Sequence, residues 1–206
     1  SAAISPVVLR GWASRFRQKR EMHDSISIVS SRRAFEGRVF DVRVDEIRYG
    51  QEAPHRIDVI ELGHTVAVLA VDDSQRVALV RQYRHAAGAY VWEIPAGHVD
   101  RGEGILDAAV RELREETGYS AGRIEPLLTV YTTPGVCDET QHIFFATDLR
   151  AGEQALDQDE RIDVKLVSPD DAWRLVTGQV SDAKTALALL WLKAQGGQMR
   201  SESGRS

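Results

Sequence analysis

The feature that most constrains the fold is residues 65–71 (TVAVLAV), which contain no charged side chain. A strand with one face in water alternates apolar and polar residues, whereas a strand covered on both faces is apolar throughout. A second β-rich segment, residues 77–83, follows the turn Asp72-Asp73-Ser74. The sequence therefore predicts a buried hairpin formed by these two strands.

Further elements are predicted on both sides of this hairpin. Alternating patterns predict antiparallel strands at 26–33, 38–49 and 56–62, joined by turns at Gly37 and Gly50. Later strands are expected at 127–131, 143–147 and 164–167, and two closing helices open at Ser168-Pro169 and at Ser181 ahead of 183–194. We expect a basic arm (1–25), a small β subdomain (26–63), a main domain (64–195) and a disordered tail rich in glycine, serine and charge (196–206).

Composition narrows the class of protein. The 206 residues, 43% of them apolar, suffice for the core of one sizeable domain. A net charge of −5 gives no general attraction to nucleic acid or to acidic membranes, and no apolar run approaches the roughly 20 residues that cross a bilayer. Cys137 is the only cysteine, so no intramolecular disulfide forms. We expect a cytoplasmic protein without a nucleic-acid or membrane partner.

A predicted helix over residues 105–117 carries three carboxylates along one edge. At about 100° per residue, Glu112, Glu115 and Glu116 fall within an arc of about 100°. Like charges at this spacing, near the helix C-terminus, oppose helix formation, whereas Mg²⁺ prefers such oxygen ligands. The edge is therefore a candidate metal site; the alternative is a solvated acidic face paired with Arg111 and Arg114. The core-facing stripe is predicted to be Leu106, Ala109, Val110, Leu113 and Thr117.

The chain around this helix resembles the Nudix box of the Nudix hydrolases. The matching residues are Gly97, Glu103, Arg111, Glu112, Leu113, Glu115, Glu116 and Gly118, and Tyr119 stands where the family usually has an aliphatic residue. The resemblance covers roughly residues 64–195. It implies an α/β/α sandwich around a mixed sheet, here preceded by the small N-terminal antiparallel β subdomain. It also implies hydrolysis of the pyrophosphate bond that links a nucleoside diphosphate to another group.

The resemblance also assigns roles to individual residues. It implies that Mg²⁺, with Mn²⁺ as a possible substitute, is held by Glu112, Glu115, Glu116 and the carbonyl of Ala96. Arg111 and Glu103 are expected to orient these ligands. The predicted catalytic residues include Arg111 and the metal ligand Glu115. Glu139, in a loop, is the predicted general base for water, and Asp138 is its alternative.

Three features resemble one branch of the family, the ADP-ribose pyrophosphatases and nucleoside diphosphate sugar hydrolases. Pro134 lies fifteen positions after Tyr119, residues 92–97 read WEIPAG, and the strands at 26–62 resemble a subdomain that packs across a homodimer. The branch implies that Arg84, Arg81 and Pro134 contact a small-molecule nucleotide substrate, with Arg84 the better match. It also implies that ADP-ribose is split into AMP and ribose 5-phosphate. The alternatives are another nucleoside diphosphate sugar such as ADP-glucose or GDP-mannose, a damaged nucleoside triphosphate, and a non-catalytic ADP-ribose sensor.

Overall fold

The computed structural model describes residues 25–156, 161–178 and 181–202, the last seven of them by their backbone alone. Almost all of the predicted basic arm, and residues 203–206 of the predicted tail, lie outside this range. The chain divides into two compact units. One comprises Ser1–Leu62 with Thr133–Asp138, and the other comprises Gly63–Thr132 with Glu139–Ser206.

The first unit contains a three-stranded antiparallel sheet. Its strands, in spatial order, are β1 (Ile26–Glu36), β2 (Asp41–Tyr49) and β3 (His55–Glu61). Charged pairs cross the sheet, because Arg43 on β2 contacts both Asp45 and Glu61. Residues 133–138 join this unit through backbone hydrogen bonds of Ile60 with Val136 and Asp138. The three strands predicted before the main domain are thus confirmed.

The second unit contains two sheets. A mixed four-stranded sheet has the order β7 (Ala96–His98), β4 (His64–Ala70), β9 (Thr140–Ala151), β8 (Tyr119–Tyr131), in which β4 and β9 are parallel. An antiparallel sheet has the order β10 (Ile162–Val167), β5 (Val77–Arg84), β6 (Ala89–Glu93). The helices are α1 (Ile105–Thr117), α2 (Pro169–Thr177) and α3 (Ala183–Glu202). Among the described residues, no helix is both long and apolar enough to cross a membrane.

Strand β4 is apolar because helices cover both of its faces. Val66, Val68 and Ala70 pack with Ala109 and Leu113 of α1, and the alternate residues pack against α2 and α3. Those alternate residues are Ala67 and Leu69, and Val71, just after the strand, packs with them. Full burial of one Val or Leu side chain contributes about 1.5–3 kcal/mol, so a polar residue at Val68 would destabilise this layer. The predicted α/β/α sandwich around a mixed sheet is confirmed.

The predicted hairpin of the two β-rich segments is wrong. Strands β4 and β5 lie in different sheets, and only an isolated bridge between Val71 and Val77 joins the segments. Asp72 turns the chain by accepting a hydrogen bond from the Arg76 backbone amide, and each strand then pairs on both edges with other partners. An apolar pattern requires burial but does not specify which strand is the neighbour, and that information is tertiary.

Helix α1 has the predicted bounds, and its predicted core-facing stripe is confirmed in part. Gly118 ends it in the left-handed conformation with φ 76°, as a C-terminal cap. Ala109, Leu113 and Thr117 are buried as predicted, but Leu106 and Val110 are 47% and 46% exposed, and Glu116 is 3% exposed. The helix is rotated so that its acidic edge turns inward. The apolar stripe alone could not reveal this, because it lies directly beside the acidic edge.

The closing helices begin close to the predicted positions. Ser168 caps α2 as expected, by accepting from the Asp171 backbone amide. Asp182, and not Ser181, caps α3, because its carboxylate accepts the Thr185 amide while the Ser181 hydroxyl donates to the Val176 carbonyl. Helix α3 also continues to Glu202, into the segment expected to be a disordered tail, because helix formation adds one hydrogen bond per residue once begun.

Candidate active site

The acidic edge of α1 is held against the strand that precedes it in the sequence. Glu116 accepts a hydrogen bond of 3.0 Å from the Ala96 backbone amide. The carboxylate of Glu112 lies so close to Gly97 that a Cβ atom there would be 2.0 Å from its Oε1 atom. A side chain at residue 97 would therefore displace the Glu112 carboxylate, and glycine leaves that carboxylate in its place. The structure brings Ala96, Glu112 and Glu116 together as the sequence predicts.

Arg111 connects the carboxylates of this site. It donates to both oxygens of Glu103 at 2.8 and 3.0 Å, to Glu112 Oε1 at 2.7 Å and to Glu115 Oε2 at 3.0 Å. The hydrogen bonds from Arg111 lower the pKa of Glu103 to about 2, and those to Glu103 and its neighbours raise the pKa of Arg111. These charge-assisted bonds are the contacts expected of residues that orient metal ligands.

The donor atoms at this edge suit a hard divalent cation. All the candidate side chains present carboxylate oxygens, and one backbone carbonyl, that of Ala96, is the further predicted ligand. Within the described part of the chain, acidic, histidine and cysteine side chains form no group of three or more that is arranged to hold a metal ion. Arg111 instead donates to both Glu112 and Glu115. Mg²⁺ keeps several waters and takes phosphate oxygens, so a partial set of protein ligands is the usual arrangement.

The two predicted phosphate-binding arginines lie on opposite faces of β5. Arg84 donates to both oxygens of Glu93, at 2.7 and 2.8 Å. This contact first, and also the charge of Glu116, raise the pKa of Arg84. Glu93 lies three residues before Ala96, whose backbone amide binds Glu116. Arg81 instead stacks on Tyr90, 4.7 Å from the ring centroid. Because side chains alternate along a strand, Arg81 and Arg84 cannot both face the site, and Arg84 is the one that binds Glu93.

The two candidate general bases have different partners. Glu139 accepts hydrogen bonds from the hydroxyls of Thr65 at 2.8 Å and Thr132 at 2.6 Å, where β4 and β9 begin. Asp138 accepts from the Leu62 backbone amide at 2.8 Å and belongs to the first unit. The proposed role of either residue in catalysis stays a prediction.

Pro134 also belongs to the first unit. It lies in a turn that is closed by a hydrogen bond of 3.0 Å from the Val136 amide to the Thr133 carbonyl. Its contact with a substrate stays a prediction as well.

The sequence reading missed a buried ionic cluster beside Arg84. Glu93 is buried and binds both Arg84 and Lys184, and Lys184 in turn binds Asp182. One available sign was a charged residue between the apolar residues Trp92 and Ile94. Nothing in the sequence pairs Glu93 with a lysine 91 residues away.

Comparison with known proteins agrees with this architecture. The family model described as the NUDIX domain matches residues 61–190. The chain is 36% identical over 168 residues to an ADP-ribose pyrophosphatase of Bacillus subtilis (strain 168), and this match covers 80% of this chain and 91% of the relative. It is 32% identical over 170 residues to a methanol dehydrogenase activator of Bacillus methanolicus, covering 81% and 92% of the two chains.

A solved structure supports the fold. The crystal structure of an ADP compounds hydrolase superposes with a TM-score of 0.72, at 22% identity, over 84% of this chain and 97% of the other. Together with the family match over the acidic helix, these likenesses establish that the chain belongs to the NUDIX domain family and is a Nudix hydrolase.

Proposed function

We propose that this enzyme hydrolyses the pyrophosphate bond of ADP-ribose to give AMP and ribose 5-phosphate. The observation that carries the proposal is the inward-facing acidic edge of α1, held against Ala96 and Gly97. Its carboxylate oxygens suit a hard metal ion, and Arg84, which binds Glu93 three residues before Ala96, suits phosphate; both support the proposal. The choice of ADP-ribose rests on the relative named ADP-ribose pyrophosphatase, of which the chain covers 91%.

In the proposed mechanism, Glu112, Glu115, Glu116 and the Ala96 carbonyl would hold Mg²⁺, or Mn²⁺ in its place. When bound, such an ion would supply positive charge for the diphosphate oxygens and would make water more acidic. Arg84 binds a phosphate oxygen through its guanidinium, and Arg111 keeps the glutamates oriented. Glu139, with Asp138 as the alternative, accepts a proton from the attacking water. Water adds to one phosphorus as the bridging P–O bond breaks, so one ADP-ribose and one water give the two monophosphates.

We also propose that the enzyme is a homodimer assembled through the first unit. Strand β1 is exposed along its whole length in the single chain, and it carries Ile26, Ile28 and Phe35 on its surface. Exposed apolar groups of this kind, clustered on one strand, are typical of a protein interface. The expected cytoplasmic location stays a prediction.

The proposed substrate is tested by a parallel hydrolysis assay. Purified protein is given ADP-ribose, ADP-glucose, GDP-mannose and diadenosine polyphosphates, each with Mg²⁺, with Mn²⁺ and with chelator, and the release of nucleoside monophosphate is measured. We expect the highest kcat/KM for ADP-ribose and no activity with chelator. A clear preference for another compound would assign a different substrate to this Nudix hydrolase. Inactivity on all of the compounds would contradict the proposal.

The same assay, applied to the Glu116→Gln variant, tests whether the acidic edge of α1 holds the metal. Glutamine can still accept the Ala96 amide but is a much weaker metal ligand, so we expect kcat to fall by more than about a hundredfold, beyond the loss typical of supporting residues. Asp107→Asn is the matched control, since Asp107 is a carboxylate in the first turn of the same helix. An active Glu116→Gln enzyme would refute the assignment of this edge.

A further inference from the structure

A cavity of about 550 Å³ opens beside Arg84, between β6 and the start of α3. Its apolar wall includes Tyr90 and Val91, and its charged lining residues are Arg84, Glu93, Asp182 and Lys184. The lining therefore contains two cations and two anions. Arg84 is the only one of the four that the sequence predicted to contact substrate.

The two cations share the carboxylate of Glu93 but differ in access to solvent. Lys184 Nζ lies 2.6 Å from Glu93 Oε2 and 2.9 Å from Asp182 Oδ1. The side chain of Lys184 is 12% exposed and that of Glu93 is 4% exposed, whereas Arg84 is 41% exposed. Lys184 is thus placed as an internal counter-ion, and Arg84 is the cation that an entering ligand meets.

Charge balance in the cluster depends on Lys184. Burial alone would raise the pKa of Glu93, but the hydrogen bonds and charges of Arg84 and Lys184 together outweigh it and lower that pKa. Without Lys184, Arg84 alone would face the carboxylates of Glu93 and Asp182, with Glu116 nearby. When a buried carboxylate loses a counter-ion, its charge is left uncompensated unless another cation balances it, and here only Arg84 would remain to do so. The local potential would also become negative, which opposes entry of an anionic diphosphate.

The start of α3 is tied directly to the segment that leads into the metal site. The Thr185 hydroxyl accepts the Ile94 backbone amide at 2.9 Å, and the Asp182 carboxylate accepts the Thr185 amide at 2.9 Å. Ile94 lies two residues before Ala96 in the sequence. The backbone at Lys184 is therefore held near the Glu93 segment by hydrogen bonds that do not involve the Lys184 side chain.

We propose that Lys184 is a positioning residue for the binding of organic diphosphates in this cavity. It neutralises Glu93, so that the guanidinium of Arg84 is available to one phosphate of the substrate. Lys184 itself remains bound to the two carboxylates and does not touch the substrate. The inference rests on the proposed function, because the diphosphate is the substrate proposed above.

The first test compares full-length Lys184→Met with wild type in steady-state hydrolysis of ADP-ribose. We expect KM to rise by at least about tenfold, with kcat within about threefold, because the loss falls on substrate binding and leaves the metal ligands in place. Lys184→Arg, which keeps the charge, should recover most of the KM. Lys193→Met is the matched control, because Lys193 is an exposed lysine of the same helix whose contact is with Trp173.

A double variant separates a charge effect from a structural one. Asp182→Asn combined with Lys184→Met leaves Arg84 and Glu93 as a neutral pair, so we expect it to recover a large part of the KM lost in Lys184→Met. If Lys184 only supports packing, the double variant will be worse than the single one, because Asp182 also caps α3. That result, or a loss confined to kcat, overturns the inference. If Lys184→Met does not fold, the KM of the double variant is compared directly with that of wild type.

A binding readout keeps this inference distinct from the proposed function. Each variant is titrated calorimetrically with ADP-ribose in the presence of chelator, so that no turnover is required. Weaker binding by Lys184→Met supports the inference, even if wild type prefers to hydrolyse another compound. Equal binding by Lys184→Met and wild type overturns it, even if wild type hydrolyses ADP-ribose.

Discussion

At the scale of single residues, Arg111 sets the geometry of the acidic edge. Its guanidinium contacts Glu103, Glu112 and Glu115 at the same time, and it also donates to the His98 carbonyl at 2.9 Å. Arginine suits this position because its planar fork donates in several fixed directions. Glu103 receives two of these bonds and is therefore the carboxylate that anchors Arg111.

This anchoring predicts a pH-dependent contribution of Glu103 to stability. Its pKa is about 2 in the folded protein against an ordinary value of 4.5. Because the folded-state value is the lower one, the ionised form stabilises the folded state; the contribution is full above pH 4.5 and is lost as the pH falls towards 2. In urea unfolding with chelator, Glu103→Gln should lower the free energy of unfolding at pH 7 and progressively less below pH 4.5.

Glu125→Gln is the control for this measurement. Glu125 pairs with Arg123 at 3.0 Å on the surface, and exposed pairs contribute little at any pH. A loss of stability in Glu103→Gln that is the same at every pH would contradict the assignment of the effect to the Glu103 carboxylate.

At the scale of elements, α3 supports the site through one buried hydroxyl. Thr185 is fully buried, and its hydroxyl accepts the Ile94 amide and donates to Asp182. Thr185→Val keeps the shape but leaves the Ile94 amide without this partner, so we expect a loss of about 1–3 kcal/mol in the free energy of unfolding. Chemical denaturation measures it. Thr185→Ser keeps the hydroxyl and should lose only about 0.8 kcal/mol for the missing methyl group; an equal loss in both variants would assign the effect to packing.

At the scale of the whole molecule, the proposed homodimer predicts a mass in solution of about twice 22.9 kDa. Light scattering coupled to size exclusion measures this mass. Ile28→Asp combined with Phe35→Asp should convert the dimer to a monomer, because both exposed apolar side chains lie on β1. Leu190→Asp, at an exposed apolar position of α3, is the control. A wild-type monomer at micromolar concentration would refute the dimer.

The sequence predictions were more accurate for features that depend on residues close together in the chain than for features that depend on distant ones. The bounds of α1 and its Gly118 cap depend on residues a few positions apart, and both are confirmed. The pairing of β4 depends on Thr140–Ala146 and Ala96–His98, which lie far along the chain, and the hairpin predicted in its place is wrong. The orientation of α1 was predicted only in part, because its inward-facing edge also includes the nearly buried carboxylate of Glu116, which a stripe of apolar residues does not describe.

The sequence by itself determined the family and the elements, because spacing along a helix and a strand fixes which side chains share a face. The Nudix box and the apolar segment over 65–71 are local patterns of this kind. Only the tertiary structure decided that Arg84 and Lys184 meet at the buried Glu93, since those contacts join residues up to 91 positions apart. A buried carboxylate requires counter-ions, but only the folded chain specifies which cations reach it.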